Sequence, residues 1–307
     1  MVAQQHFGWV AGLAVSAGVG AAILLGGAAV AAADTELRPH GHDRGRPPQR
    51  LTGVTFVAGA PASQGRTVMW RRNGRENMTE PERAVLVFDV NETLIDIEAL
   101  APHFERIFGD ARVLREWFGQ LVMYSMALTL SGRYADFGTL GRAVMQMTAE
   151  VHHVNVTDDD LRDFAAGMHT MPAHPDVADG LAALRKLGYR LVTLTNSPAA
   201  PDGRTPLQNA GLGDYFERQF SVDPQRAFKP APQLYTGVTD ELGVPTSAAM
   251  MVAAHPWDLL GAQAVGMSTA LLTRPGNAAL PLPGIAQPTL VATDVGDLAR
   301  ALSEGRT

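Results

Sequence analysis

The chain has 307 residues, of which 46% are hydrophobic and 18% charged, a composition typical of a globular protein large enough to bury a sizeable core. Its formal net charge of -6 argues against a nucleic-acid partner bound through its phosphates. The chain has no cysteine, which excludes disulfides, thiolate metal sites and cysteine nucleophiles but does not identify the compartment.

An uncharged apolar run stands near the start of the chain. Residues 7–33 are long enough to cross a bilayer as a helix and end in an A-x-A-like stretch, as a signal peptide would. No Lys or Arg precedes the run, whereas several arginines follow it: Arg38, Arg44, Arg46 and Arg50. This asymmetry would keep the following domain in the cytoplasm.

The next segment has little periodic pattern. Residues 34–77 are rich in Pro, Gly, Arg and His, so the sequence predicts a linker or disorder there. A start codon assigned too far upstream, with Met78 as the true start, is an alternative to a genuine anchor. We therefore predict a cytoplasmic catalytic domain behind an N-terminal segment at 1–77, with membrane anchoring or export as alternatives. Membrane contact is expected only if residues 7–33 are an anchor.

After residue 77, apolar runs of strand length alternate with helical patterns. The runs are rich in Val, Leu and Ala, which is typical of strands buried on both faces of a parallel sheet. They occur at 84–90, 189–196, 218–222, 249–254, 268–274 and 289–294. The sequence therefore predicts an α/β protein with a Rossmann-like, doubly wound parallel sheet.

One long helical block interrupts the alternation. From Ile97 to about Glu150 the apolar residues recur three and four apart, and Thr157 is a candidate N-cap for a further helix. We expect residues 100–172 to form a small helical cap domain inserted after the first strand. The catalytic core would then comprise residues 78–99 and 173–307.

Polar residues follow four of the predicted strands: Asp89, the triplet Thr195-Asn196-Ser197, Lys229 and Asp258. Each alone has a simpler explanation as a helix cap, a turn or a solvated loop. Four at successive strand ends are less easily explained in that way, because ligands of open parallel sheets bind outside the carboxyl ends of the strands.

These motifs, "FDVNET", "LTNS", "FKPAPQLY" and "VAAHPWD", resemble those of the haloacid dehalogenase superfamily. The resemblance covers about residues 84–274 and implies that Asp89 is a nucleophile. Phosphatases of the superfamily carry a second Asp two residues later, where this chain has Asn91, which cannot act as an acid or base. They also hold Mg²⁺ with two acids four residues apart, where this chain has Ala254 and Asp258.

The closer resemblance is to the type II 2-haloacid dehalogenases. Their Lys followed by Tyr six residues later is matched by Lys229 and Tyr235, and their Trp-Asp pair by Trp257 and Asp258. The resemblance implies that short 2-haloalkanoic acids are hydrolysed to 2-hydroxy acids without a metal or cofactor. A Mg²⁺-dependent phosphatase and a non-catalytic small-molecule-binding protein on the same fold are the alternatives.

The resemblance also implies a role for each site residue. Asp89 would form an ester with the substrate, Lys229 would keep it ionised and Thr93 would orient it. Asp258, together with His255, would position or deprotonate the water that hydrolyses the ester. The substrate-binding residues would be Thr195, Asn196, Tyr235, Trp257 and the backbone amides of Val90 and Asn91.

Three positions depart from the family pattern. The halide-binding Arg of the family falls on Trp117, whose ring edge or indole N–H could still cradle a halide. The family Asn three residues before the last Asp is His255, which would be either a base or a hydrogen-bonded scaffold. The family Ser five residues before that Asp is Ala253. The resemblance further implies a homodimer.

Overall fold

The computed structural model describes residues 84–199 and 203–305. The segment predicted at 1–77 therefore lies outside the described residues, as do the alternatives for its role. No helix in the described ranges is long and apolar enough to cross a membrane.

A six-stranded sheet forms the centre of the described chain. Its strands are β1 (Val85–Phe88), β2 (Arg190–Thr195), β3 (Arg218–Ser221), β4 (Ala249–Ala253), β5 (Ser268–Leu272) and β6 (Leu290–Ala292). They lie in the order β3-β2-β1-β4-β5-β6, and every neighbouring pair is parallel. The strand order changes direction at β1 and β4, which is where ligands bind in sheets of this type. The predicted α/β fold with a parallel sheet is confirmed.

Five helices lie between β1 and β2 in the chain, and the first four form the inserted helical block: α1 (Ala101–Phe108), α2 (Val113–Leu130), α3 (Phe137–Val151) and α4 (Asp158–Thr170). The predicted helical block is thus confirmed as helical, but it is divided. Gly109 ends α1 and Gly132 follows α2, with φ angles of 70° and 68° that glycine adopts most readily. The treatment of residues 100–172 as a separate domain stays a prediction.

Three of the inserted helices, α1, α2 and α4, share an aromatic core. The ring of Trp117 on α2 lies 4.9 Å from that of Phe164 on α4 and 5.6 Å from that of Phe104 on α1. Such edge-on and tilted contacts between large rings stabilise helix packing beyond the area they bury. The predicted cap at Thr157 is present as a reciprocal capping box with Asp160.

The fifth, α5 (Val177–Lys186), leads from this block to β2. Four further helices follow β2: α6 (Pro206–Asn209), α7 (Pro232–Leu242), α8 (Pro256–Ala264) and α9 (Val295–Glu304). α5 and α9 pack against each other, as do α7 and α8, and both pairs contact the sheet. α5 and α9 approach closely because Gly180 carries no side chain; a Cβ there would lie 2.7 Å from Val295.

Candidate active site

Asp89 stands at the carboxyl end of β1. Its backbone N–H donates to Val252 O at 3.0 Å, which extends the β1–β4 pairing beyond Phe88. Its buried side chain accepts hydrogen bonds from Lys229 Nζ at 2.7 Å and from Thr93 Oγ1 at 2.6 Å. Burial raises the pKa of Asp89, but the charges of Lys229 and His255 outweigh this and hold the pKa well below its usual range.

Lys229 connects two of the four strand-end motifs. Its side chain is only 1% exposed, and its ammonium donates to Asp89 Oδ1 and Asp258 Oδ2, both at 2.7 Å, and to Leu194 O at 3.0 Å. All three ammonium protons are therefore used. Burial lowers the pKa of Lys229, but the charges of Asp258 and Asp89 raise it above its ordinary value. The amine is thus a permanent cation between two carboxyl groups.

Asp258, at the start of α8, is held on both oxygens. Tyr235 OH donates to Asp258 Oδ1 at 2.5 Å, and Lys229 donates to Oδ2. Burial and the charge of Asp89 raise the pKa of Asp258 against the effect of Lys229. Here the structure differs from the prediction, because Tyr235 is fully buried against Asp258 and lines none of the cavities at the site. The hydroxyl of Tyr235 is thus engaged by Asp258.

Thr93 joins the loop after β1 to the end of β4. Its hydroxyl donates to Asp89 and accepts a hydrogen bond from Ala254 N at 2.9 Å. Arg274 Nε donates to Thr93 O at 3.1 Å, and the same guanidinium forms a bidentate ion pair with Asp176. These bonds fix the rotamer of Thr93 and hence the orientation of the Asp89 carboxylate.

Sequence reasoning missed Glu92, which the structure places at the site. Its backbone has a left-handed φ of 62°, and its buried side chain accepts a hydrogen bond from His255 Nε2 at 2.6 Å. The carboxylate also pairs with Arg115, which in turn pairs with Glu98. The sequence signal was an acid between two predicted site residues, but the backbone conformation that turns it inward is not visible in the sequence.

His255 lies between two carboxylates. Its Nε2 faces Glu92, and its Nδ1 lies 3.5 Å from Asp89 Oδ2, buried and without a hydrogen-bond partner. Trp257 stacks on the imidazole with ring centroids 5.1 Å apart, and Phe118 packs on it at 5.7 Å. Burial lowers the pKa of His255, but the hydrogen bond to Glu92 and the charges of Asp89 and Glu92 raise it to about 9.

A cavity of about 10 Å³, roughly the room of one water molecule, lies against Asp89. Several predicted site residues surround it: Asn91, Thr195, Asn196, His255 and Trp257. The structure thus brings these residues together beside Asp89. The strand-end argument predicted this for Thr195 and Asn196, and the family resemblance for the other three. Val90 stands next to Asp89 at the start of the loop, where its backbone amide was expected to contribute.

The loops after β1 and β2 are joined by side-chain hydrogen bonds. Asn91 Nδ2 donates to Ser197 Oγ at 3.0 Å, and Asn196 Oδ1 accepts from Lys229 N at 3.1 Å. Asn91 Oδ1 is buried without a protein partner. An orphaned acceptor of this kind is a place where a bound molecule can donate a hydrogen bond.

A second cavity, of about 330 Å³, lies between the inserted helices and the loop after β2. It shares Asn91 and Phe137 with the small cavity, and Trp117 forms part of its wall. The indole N–H of Trp117 donates to Gly141 O at 3.0 Å, so it is not free to cradle a halide as suggested above. The ring edge is the part of Trp117 that remains available.

The donor set does not suit a divalent metal. Within residues 84–199 and 203–305, no three His, Asp or Glu side chains are grouped so as to hold a metal ion. The ammonium of Lys229 bridges Asp89 and Asp258. Position 254 is a buried alanine, whose side chain has no oxygen to offer a metal ion. A Mg²⁺ ion, which requires several oxygen ligands, finds too few in this arrangement.

Comparison with known proteins agrees with this geometry. The family model of the haloacid dehalogenase-like hydrolases matches residues 84–266. An (S)-2-haloacid dehalogenase of Xanthobacter autotrophicus is 33% identical over 198 residues, which cover 64% of this chain and 77% of the relative. (S)-2-haloacid dehalogenase 1 of a Pseudomonas species (strain CBS-3) is 32% identical over 197 residues, covering 64% and 86%.

Solved structures give the same result. The L-2-haloacid dehalogenase of Xanthobacter autotrophicus with chloropropionic acid covalently bound superposes with a TM-score of 0.64 at 27% identity. The superposition covers 72% of this chain and 98% of that protein.

Proposed function

Because this chain belongs to the haloacid dehalogenase-like hydrolases, we propose that it hydrolyses short 2-haloalkanoic acids to 2-hydroxy acids through an ester on Asp89. Relatives with about one-third identical residues are (S)-2-haloacid dehalogenases, and one neighbouring structure holds chloropropionic acid covalently bound. The reaction class is a hydrolase acting on carbon–halide bonds.

The observation that carries the proposal is the contact between Asp89 and Lys229. A carboxylate attacks carbon only when it is ionised and unshielded by a metal, and the buried ammonium 2.7 Å away favours the ionised form. A halide leaves as an anion and needs no proton, so Asn91 is acceptable at the position where a phosphatase needs an acid.

The first displacement forms the ester. Asp89 attacks the halogen-bearing carbon, the carbon–halogen bond breaks, and the halide leaves with the electron pair. Thr93 holds the attacking carboxylate through its 2.6 Å hydrogen bond. We assign the substrate carboxylate to Thr195, Asn196 and the backbone amides of Val90 and Asn91, next to the small cavity beside Asp89.

The second displacement releases the product. Water attacks the carboxyl carbon of Asp89, and the 2-hydroxy acid departs. Asp258 and His255 are the two groups close to the nucleophile that can position or deprotonate this water. Neither displacement in the proposed mechanism uses a metal or cofactor.

The test is chloride release from L-2-chloropropionate in the presence of EDTA, followed by a single turnover in ¹⁸O-labelled water. We expect metal-independent chloride release and the first solvent oxygen in the carboxylate of Asp89. Chloride release that requires Mg²⁺, or label found only in the product after one turnover, would contradict the ester mechanism. Mg²⁺-dependent hydrolysis of a small phosphate ester would favour the phosphatase alternative.

Two other parts of the prediction stay proposals. We expect a homodimer, which sedimentation of the purified protein would test. We also expect the catalytic domain in the cytoplasm, which fractionation of cells and sequencing of the native N-terminus would test.

A further inference from the structure

Glu92 and His255 form a buried pair, of which the proposed mechanism uses only His255. Glu92 Oε2 lies 2.6 Å from His255 Nε2, and both side chains are almost completely buried. A carboxylate can only accept, so the proton of this hydrogen bond sits on Nε2 whenever the imidazole is neutral. Glu92 therefore determines the tautomer of His255.

The other ring nitrogen points at the reaction centre. His255 Nδ1 lies 3.5 Å from Asp89 Oδ2, has no hydrogen-bond partner, and belongs to a side chain that lines the water-sized cavity. In the Glu92-fixed tautomer, Nδ1 carries a lone pair. It is thus an acceptor aimed at the place from which water would attack the Asp89 ester.

Asp258 is less well placed for the same task. Both of its oxygens already accept hydrogen bonds, from Tyr235 and Lys229, and it does not line the cavity. Its contacts suit it to holding Lys229 in position.

We propose that Glu92 is a positioning residue that fixes the tautomer of His255, so that His255 Nδ1 takes the proton of the water that hydrolyses the Asp89 ester. This inference rests on the proposed dehalogenase function.

Ester formation itself would prepare the base. In the resting enzyme, His255 faces the negative charges of Asp89 and Glu92, and its pKa is about 9, so it is protonated at neutral pH. Conversion of Asp89 to a neutral ester removes one of these charges and lowers the pKa of His255. Two further charges affect the pKa of His255 indirectly: Arg115 pairs with Glu92, and Lys229 pairs with Asp89. The rings packed on His255, those of Phe118 and Trp257, are uncharged.

The protons balance over the cycle. When the ester forms and the halide leaves, His255 releases its Nδ1 proton to solvent, so the first half-reaction liberates the proton and the halide. In the second half, Nδ1 takes one proton of the attacking water and the new carbon–oxygen bond forms at the Asp89 carboxyl carbon. The other water proton passes to the departing alkoxide as the ester bond breaks. The result is the 2-hydroxy acid, an ionised Asp89 and a protonated His255.

The test compares Glu92→Gln with Glu98→Gln in the pre-steady state. Both acids pair with Arg115, but only Glu92 contacts His255, so Glu98→Gln is a matched control. With excess L-2-chloropropionate, E92Q should give a chloride burst of about one equivalent and then turn over about 10²-fold more slowly. The protein should accumulate the mass of the ester adduct, and E98Q should behave like wild type.

A second comparison separates a role through His255 from a general structural effect. In a His255→Asn background, E92Q should cause no further slowing of ester hydrolysis, because the group on which Glu92 acts is gone. The pH limb for ester hydrolysis should move to lower pH in E92Q, since loss of a negative neighbour lowers the pKa of His255.

The outcomes are distinguishable. Two results would contradict the role of Glu92 but leave the proposed function standing. One is ester hydrolysis in E92Q at the wild-type rate; the other is equal slowing by E92Q in the wild-type and His255→Asn backgrounds. No chloride release by the wild-type protein overturns the proposed function and this inference with it. A burst in E92Q also shows that the variant has folded and formed its nucleophile.

Discussion

At the scale of single residues, the site is organised around one buried cation. Lys229 contacts both Asp89 and Asp258 at 2.7 Å, and the three side chains are nearly inaccessible to solvent. Removal of one partner from such a group leaves a buried charge without compensation. The resulting loss of stability is larger than the net stabilisation that the intact ion pair provides.

Lys229→Met should therefore lower the free energy of unfolding by about 3–5 kcal/mol and abolish chloride release. The pKa of Asp89 should rise towards and above its usual range, because burial would no longer be opposed by the ammonium. Lys186→Met, at an exposed lysine, is the control and should change stability by less than about 0.5 kcal/mol. Urea denaturation and a chloride assay measure both effects. An active Lys229→Met variant would contradict the assigned role.

His255 predicts a particular dependence of stability on pH. Its pKa is about 9 in the folded protein and 6.5 in its ordinary state, so the folded chain binds this proton more tightly. The resulting stabilisation is fully present below about pH 6.5 and is lost as the pH rises through 9, a change on the order of 3 kcal/mol.

Urea denaturation across this window should show that loss in the wild type and a flatter profile in His255→Asn. Parallel profiles for the two proteins would show that His255 is not the group responsible.

The sequence predicts most of the site but not all of it. Asp89, Lys229 and Asp258 are predictable because the topology of a parallel sheet brings strand ends together whatever the loop details. The role of Glu92 depends on a left-handed backbone at a non-glycine residue, and that of Tyr235 on which neighbour its hydroxyl reaches. Both depend on geometry that periodicity and spacing do not encode.

At the scale of elements, hydrophobic periodicity predicts helices and strands well because most of them bury one face or both. The breaks inside the helical block from Ile97 to Glu150 are less visible, since the apolar spacing continues across them. Gly109 and Gly132 mark these breaks through positive φ angles, but glycine also occurs inside helices here, as at Gly119 and Gly180. The residue type alone does not separate the two uses.

The two helical glycines should respond in opposite ways to alanine. A Cβ at Gly180 would meet Val295 at 2.7 Å, so Gly180→Ala should force α5 and α9 apart and destabilise by about 1–3 kcal/mol. A Cβ at Gly119 meets nothing within 4 Å, so Gly119→Ala should stabilise α2 by about 0.5–1 kcal/mol. Thermal denaturation of both variants measures the contrast. Equal shifts in the same direction would contradict the packing described for α5 and α9.

At the scale of the whole molecule, the sequence predicts a parallel sheet but not the order of its strands. The order places β1 between β2 and β4, and so assembles motifs that are up to 169 residues apart, from Asp89 to Asp258. The spacing of the motifs along the sequence does not specify this strand order, because several orders with right-handed crossovers satisfy the same pattern. The two cavities beside Asn91 likewise arise only when the inserted helices meet the sheet.

Phe137 is part of the wall shared by the two cavities, and its truncation should change which substrates fit. We expect Phe137→Ala to shift the ratio of kcat/KM values about tenfold towards 2-haloacids with longer apolar chains. Leu140→Ala, also buried on α3 but lining neither cavity, is the control for a general loss of packing. Steady-state kinetics with a series of chain lengths measures the ratio. An equal shift in both variants would contradict a wall at Phe137.

The burial of Lys229 allows the opening of the protein around Asp89 to be measured by chemical labelling. The chain contains only two lysines, and the other one, Lys186, is exposed. An amine-reactive reagent applied to the folded protein should modify Lys186 promptly. It should modify Lys229 only when the inserted helices separate from the carboxyl ends of the strands. The labelling rate of Lys229 can be read by peptide mass spectrometry, with Lys186 as the internal reference. It therefore measures how often the site around Asp89 opens to solvent.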